Sequence, residues 1–203
     1  MSEGLMDSEG SGVLIDPAFL LRAYGAGIFP MAMEDGEIGW FSPDPRGVIP
    51  LDERFHVPHG LKRRMRKVAF DLRINVGFEA VMEGCADREE TWIDGTVMRT
   101  YAALHRLGYA HSVEVWMEGE LVGGLYGVAV GSAFFGESMF SRVSGASQVA
   151  LVGLVERLRE RKYRLLDTQW TTEHLKRFGA MDLPKREYLR ELSIATGEDN
   201  RFA

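Results

Sequence analysis

LVGGLYGVAVGSAFFGESMFS, residues 121–141, sets five glycines (Gly123, Gly124, Gly127, Gly131 and Gly136) in a stretch almost free of charge. A solvated loop would be polar, and a flexible linker would lack large apolar side chains. Glycines among Val, Leu, Tyr and Phe therefore read as buried strands whose backbone something approaches closely. The one carboxylate, Glu137, follows Phe134 and Phe135. Burial of a carboxylate is costly without partners, which makes Glu137 a functional candidate; the alternative is a core hairpin with Glu137 at an exposed tip. Upstream, Ser112 to Met117 alternates and Glu118-Gly119-Glu120 turns, so this run and Leu121–Val130 form a β-hairpin. Downstream, Gly131-Ser132 permits another turn before a strand at Ala133–Phe135. A helix follows with Leu151, Leu154, Val155 and Leu158 on one face, capped by Ser144 or Ser147, then a strand at Arg164–Asp167. Hairpin, strand, helix, strand, helix describes an α/β layer with a mixed sheet. Ligands in such sheets gather near strand ends, which draws Glu137, the Ser144–Ser147 helix start, Asp167 and Gln169 toward one cleft.

The rest of the chain sets bounds on function. With 203 residues, 45% hydrophobic and 27% charged, it is expected to be a soluble globular protein of one domain or two small ones. A lone cysteine, Cys85, excludes a disulfide framework and a cysteine-rich zinc site within one chain. The start, MSEGLMDSEGSG, is acidic and polar, so residues 1–12 are expected to be a disordered tail rather than a signal peptide or anchor. A cytoplasmic protein with no membrane association is the expectation. The net charge of −6 argues against nucleic-acid binding by the whole surface but leaves room for a local basic patch. Such a patch exists: Pro58 opens a helix in which Lys62, Arg63, Arg64, Arg66 and Lys67 are basic. It is either a solvated face or a set of phosphate contacts. Asp16-Pro17 marks another helix start, stopped by Gly25, and Trp40–Arg46 looks like a rigid aromatic turn. Phe78, Val81, Met82 and Cys85 share a helix face, which makes Cys85 a structural residue. His105 and His111 have no partner at metal-ligand spacing.

Several stretches together resemble one family, the leucyl/phenylalanyl-tRNA–protein transferases. They are AYGAGIFPM (23–31), FSPDPRGVIPL (41–51), GCADREETWI (84–93), LGYAHSVEVW (107–116), residues 121–141 and LLDTQWTTEHLKRFGA (165–180). The resemblance covers nearly the whole chain after Val13, in family order. It implies an α/β (α+β) protein with a small N-terminal domain, residues 13–73. A C-terminal domain of N-acetyltransferase-like (GNAT) fold, residues 74–203, would follow. It implies transfer of Leu, Phe or less readily Met from aminoacyl-tRNA to proteins beginning with Arg or Lys, which are thereby directed to degradation. No metal or nucleotide cofactor is implied. The family's catalytic Asp-x-Gln pair falls on Asp167 and Gln169, the Gln accepting from the incoming α-amine and the Asp polarising the Gln. The family's other proposal has the tRNA's terminal hydroxyls move the proton. The aminoacyl pocket maps onto Leu125, Phe134, Gly136, Glu137, Met139 and Leu151. Trp92 falls at the terminal adenosine, and the basic helix becomes an acceptor-stem contact. Three departures stand out: Met31 where many members have Trp, Gln148 for a common Lys, and a shortened segment before Asp16.

The chemistry implied is modest in its demands. The donor ester is already activated, and a free α-amine, with a pKa of about 7.7–8.0, is partly neutral near pH 7. No strong general base is needed, and an apolar pocket that discriminates a methylene by roughly 1–3 kcal/mol admits Leu, Phe and Met together. One rival is an acyl-CoA-dependent N-acetyltransferase. Its pyrophosphate turn would be Ser141-Arg142-Val143-Ser144-Gly145-Ala146, which has one arginine and one glycine. Another is a non-catalytic tRNA-binding module, which would need neither the pocket nor Asp167-x-Gln169.

Overall fold

The computed structural model describes residues 14–33, 35, 37–88 and 91–203. The segment 1–12, expected as a disordered tail, lies outside the described residues. In chain order the elements begin α1 (Pro17–Gly25), β1 (Phe29–Ala32), β2 (Ile38–Phe41), β3 (Arg46–Ile49) and α2 (His59–Lys67). β4 (Asp71–Ile74), α3 (Phe78–Ala86), α4 (Gly95–Arg106), β5 (Ala110–Met117), β6 (Glu120–Val130) and β7 (Ala133–Ser141) follow. The chain closes with α5 (Ala146–Glu160), β8 (Leu165–Gln169), α6 (Glu173–Lys176), β9 (Met181–Leu183) and α7 (Lys185–Thr196).

β1 and β2 make a small antiparallel ribbon, and the other strands form one sheet in the order β4-β5-β6-β7-β8-β3-β9. Every pairing in that sheet is antiparallel except β7 with β8, so the expected mixed α/β class is what the chain forms. The β5–β6 hairpin closes over Glu118 (φ 52) and Gly119 (φ 87). Positive φ at both central residues is the twist-matching turn of a two-residue hairpin, one residue tighter than the sequence suggested. β6 is apolar almost throughout because both of its faces are covered. On one side lies a core containing Leu20, Val81, Tyr101 and Tyr126. On the other lies a core containing Leu151, Leu154, Leu166 and Phe202. The close approach announced by the β6 glycines is made by the chain itself. A Cβ at Gly127 would sit 2.4 Å from the Phe134 ring, and one at Gly123 would sit 2.5 Å from the Ala146 Cβ.

Three local expectations are corrected. The strand after Gly131 runs on to Ser141, because Gly136 and residues 138–141 keep pairing with β6 on either side of a bulge at Glu137. α5 is capped by neither Ser144 nor Ser147. Gly145 takes the cap position in a left-handed conformation, φ 84, and Ser141 Oγ accepts from the Ser147 N–H at 3.2 Å. The Trp40–Arg46 turn is shorter than expected, since Trp40 and Phe41 belong to β2 and Arg46 opens β3. β3 comes from the 13–73 segment yet lies inside the sheet between β8 and β9, while β4 straddles residue 73.

The site is prepared by a wedge. β7 and β8 pair only from Ala133 to Phe135 with Leu165 to Asp167. Beyond that point β7 follows β6, while Gln169 pairs across to Gly47 of β3. Two parallel strands that part company leave a cleft between them, floored by α5.

Candidate active site

A cavity of ≈ 240 Å³ opens in this wedge, lined by Leu125, Gly136, Glu137, Met139, Leu151 and Gln169 among others. Five of the six residues assigned from the sequence to the aminoacyl pocket thus meet at one place. The sixth, Phe134, is fully buried behind it, its ring 5.1 Å from that of Phe202. A second cavity of ≈ 410 Å³ contains Met31, Trp92 and Trp170 and shares Glu137, Gln169, Thr168, Arg88 and Leu175 with the first. An apolar chamber and an aromatic antechamber therefore join at Glu137 and Gln169.

Asp167 is held from four sides. The Arg46 guanidinium donates from Nε at 2.9 Å and from Nη2 at 2.8 Å, Tyr188 Oη at 2.5 Å, and the Gln169 main-chain N–H at 2.8 Å. Arg46 and Asp167 are 1% and 0% exposed, so the pair is wholly removed from water. Such a pair persists only with its remaining donors satisfied. Arg46 Nη1 accordingly bonds the Gly27 carbonyl at 3.0 Å, and its plane lies between the Phe29 and Tyr188 rings, each 4.7 Å away. Desolvation works against the Arg46 charge, but the hydrogen bonding and the charge of Asp167, with smaller contributions from Tyr188 and Glu137, together outweigh it and the pKa rises. Burial, with the Asp167 charge beside it, pushes the Tyr188 hydroxyl far up, so it stays a donor. Asp167 thus reaches Gln169 through the main chain, not through the side-chain amide.

Gln169 itself has φ 59, uncommon for a residue with a side chain. The Trp170 N–H bonds the Thr168 carbonyl at 2.6 Å, closing a tight i→i+2 turn over Gln169. That is the rare positive-φ type of γ-turn, a strained form found where surroundings enforce it. Two neighbours enforce it here. Asp167 grips the Gln169 N–H, and Gly47 makes room, since a Cβ there would lie 2.4 Å from the Trp170 carbonyl carbon. The Gln169 Nε2 is buried and unpartnered, so the amide faces the junction of the two chambers with a donor free.

Glu137 projects into that junction, half-buried, and accepts from Tyr24 Oη at 2.7 Å and Tyr101 Oη at 3.2 Å. The two hydroxyl oxygens also lie 2.5 Å apart, a third contact for which the two phenolic protons suffice only when Glu137 itself carries one. Burial raises the Glu137 carboxyl to about 7, against the opposing pull of the two hydroxyls. The basic residues of α2 lie elsewhere, on a helix beside the start of α5, with Arg64 Cδ 3.3 Å from where a Gly145 Cβ would sit. Lys62, Arg63, Arg66 and Lys67 are exposed and Arg64 is half-buried. Among the described residues none of these five forms an ion pair. The turn before α5 suits pyrophosphate poorly, because its Ala146 N–H already bonds the Val143 carbonyl at 2.9 Å and its Ser147 N–H bonds Ser141. Sequence reasoning missed Arg46, Tyr188, Tyr24 and Tyr101. Their partners are 21 to 121 residues away, and no local pattern announces them.

Comparison with known proteins decides the family. The family model described as leucyl/phenylalanyl-tRNA protein transferase matches residues 48–193, and that of its N-terminal domain matches residues 14–44. This chain belongs to the leucyl/phenylalanyl-tRNA–protein transferase family. It is an aminoacyltransferase. A leucyl/phenylalanyl-tRNA–protein transferase of Akkermansia muciniphila is 53% identical over 188 residues, 91% of this chain and 97% of that one. A protein of the same name from Paramagnetospirillum magneticum is 54% identical over 189 residues, 90% of each chain. Among solved structures, L-PGS from Bacillus licheniformis aligns at 13% identity with a TM-score of 0.43, over 80% of this chain and 55% of that one. A GCN5-related N-acetyltransferase-like protein from Streptococcus suis aligns at 13% identity and 0.37, over 82% and 63%. Likeness at this level carries no argument, and the fold stands on the strand order above. Among the described residues no helix is long and apolar enough to cross a membrane.

Proposed function

We propose that this transferase moves Leu or Phe, and less readily Met, from aminoacyl-tRNA to the α-amine of proteins that begin with Arg or Lys. The product is marked for degradation by the N-end rule pathway in the cytoplasm. The observation that carries this is the joining of two chambers at Gln169: an apolar one sized for a side chain and an aromatic one beside it. The aminoacyl side chain lies among Leu125, Met139 and Leu151, and the terminal adenosine lies by Trp92 and Met31. The ester carbonyl then falls at the junction. The incoming amine attacks the carbonyl carbon, a C–N bond forms, the ester C–O bond breaks, and the amine proton ends on the ribose oxygen.

Asp167, neutralised by Arg46, is no base. Its part is to fix Gln169, whose side-chain carbonyl accepts from the attacking amine while the tRNA hydroxyls remain free to carry the proton onward. Positioning of this kind is worth effective molarities of about 10⁵ M or more. Among the described residues Glu137 is the one carboxylate lining either chamber, which suits it to face a cationic group of the acceptor. The exposed cations of α2 bind acceptor-stem phosphates, which position the tRNA without reading its sequence. The test is transfer of radiolabelled leucine from Leu-tRNA to a protein with N-terminal Arg, Lys or Ala, with and without acetyl-CoA. Labelling of the Arg and Lys proteins alone, independent of acetyl-CoA, is expected. No labelling, or a requirement for acetyl-CoA, would overturn the assignment.

A further inference from the structure

Trp170 is 45% exposed, although it follows a strand whose Leu165, Leu166 and Asp167 are buried. The exposure is imposed by the backbone. The tight turn over Gln169 reverses the chain immediately before Trp170, and the space at Gly47 admits that turn, so the indole is delivered to the lip of the second cavity. It is also held there. Its ring meets Phe29 edge-on at 5.3 Å and 88°, and Phe29 is backed in turn by the Arg46 guanidinium. A large flat side chain that is rigidly tilted yet left open is a platform awaiting a flat ligand. The same cavity contains Trp92 and, at residue 31, the flexible thioether of Met31.

We propose that Trp170 is a stacking platform for the terminal base of the aminoacyl-tRNA, acting with Trp92 in the absence of an aromatic ring at residue 31. The proposal rests on the transferase assignment and gives a role to a residue of the 165–180 stretch beyond Asp167 and Gln169. A base stacked on Trp170 sits one residue from Gln169, so the platform sets where the ester lies. Because every base has a π-face, the contact strengthens donor binding without selecting the amino acid.

The test compares wild type, Trp170→Ala and Trp170→Phe in leucine transfer. Titration of each with a non-hydrolysable adenosine carrying leucine as a 3′-amide accompanies the kinetics. Trp170→Ala is expected to raise both the KM for Leu-tRNA and the Kd of the amide about tenfold, the scale of one base–aromatic stack. Its kcat is expected to stay within about threefold, with Trp170→Phe recovering most of the binding. Unchanged KM and Kd in Trp170→Ala would overturn the proposal. So would equal losses of kcat in both variants, which would assign the indole to supporting the Gln169 turn. A rise in KM confined to the acceptor peptide would hand the platform to the acceptor and refute it too. Failure of the wild type to transfer leucine would strike at the transferase assignment itself, a distinct outcome.

Discussion

Removing one member of the Arg46–Asp167 pair should damage the protein more than removing both. Asp167→Asn leaves the Arg46 guanidinium charged, 1% exposed and without its carboxylate; Arg46→Met leaves Asp167 charged and 0% exposed with only Tyr188 and the Gln169 N–H to solvate it. Breaking a buried pair from one side costs about 3–5 kcal/mol, because the survivor is an uncompensated charge. In a chain of this length each kcal/mol moves Tm by about 2–4 °C, so each single variant should melt roughly 10 °C lower. The double variant has no buried charge left, and its loss should be no larger than one single loss rather than the sum of two. Activity should not follow stability. Gln169 keeps its turn only while its N–H is gripped in the native geometry, and a misplacement near 1 Å costs about 10²-fold in rate. Thermal denaturation and leucine transfer on all three variants test both halves. Strictly additive Tm losses would refute the compensated pair, and a double variant with wild-type kcat would refute the positioning role of Asp167.

Gly47→Ala should lower kcat by about 10²-fold and stability by about 1–3 kcal/mol, since its Cβ would collide with the Trp170 main chain rather than with a movable side chain; an unperturbed variant would show that the γ-turn needs no such gap. Glu137 is protonated in the folded protein up to about 7 but only to its ordinary value of 4.5 when unfolded. Between those pH values the folded state holds a proton the unfolded state has released, so this group's contribution falls as pH rises, by at most about 3 kcal/mol. The Tm of Glu137→Gln relative to wild type should therefore rise between pH 5 and pH 8, and a pH-independent difference would dismiss the shift. Replacing Lys62, Arg63, Arg66 and Lys67 by Ala should weaken tRNA binding and reduce its salt slope by about 0.7–0.9 for each phosphate no longer neutralised; filter binding across a salt series would return α2 to a solvated face if the slope held.

What was legible in the sequence was whatever is stabilised locally. Asp16 caps α1 by accepting from the Ala18 N–H at 3.1 Å, and Asp94 caps α4 from the Val97 N–H at 2.8 Å, both as their residue types require. The Phe78-Val81-Met82-Cys85 face is buried as its spacing demands, and burial pushes the Cys85 thiol up to about 12, consistent with an inert structural residue. The strands of three or four residues, β1 to β4 and β9, were not legible, because too few positions exist for alternation to register. The sequence shows Arg46 only as the end of a rigid aromatic turn. Its meaning depends on Asp167, 121 residues later, and on two rings from opposite ends of the chain. Glu137 stands out in the sequence as a carboxylate within an apolar run, but its partners Tyr24 and Tyr101 lie on helices whose apolar faces explain a tyrosine without invoking a carboxylate.

The placement of charge explains why the reaction can proceed without a strong base. Asp167 sits where a general base would be sought, yet a guanidinium, a phenol and a main-chain amide occupy its oxygens. Its lone pairs are committed to structure. Glu137 faces the cavity but is held near neutrality by burial, so close to pH 7 it is divided between its acid and its anion. An enzyme that needed Asp167 to strip a proton from a protonated amine would gain nothing from that arrangement. One that captures the neutral fraction of an amine with a pKa of about 7.7–8.0 and aligns it with an activated ester needs a fixed acceptor and a shaped pocket. At the strained turn of Gln169 the fold expends stability on geometry, and the buried Arg46–Asp167 pair and Gly47 hold it there.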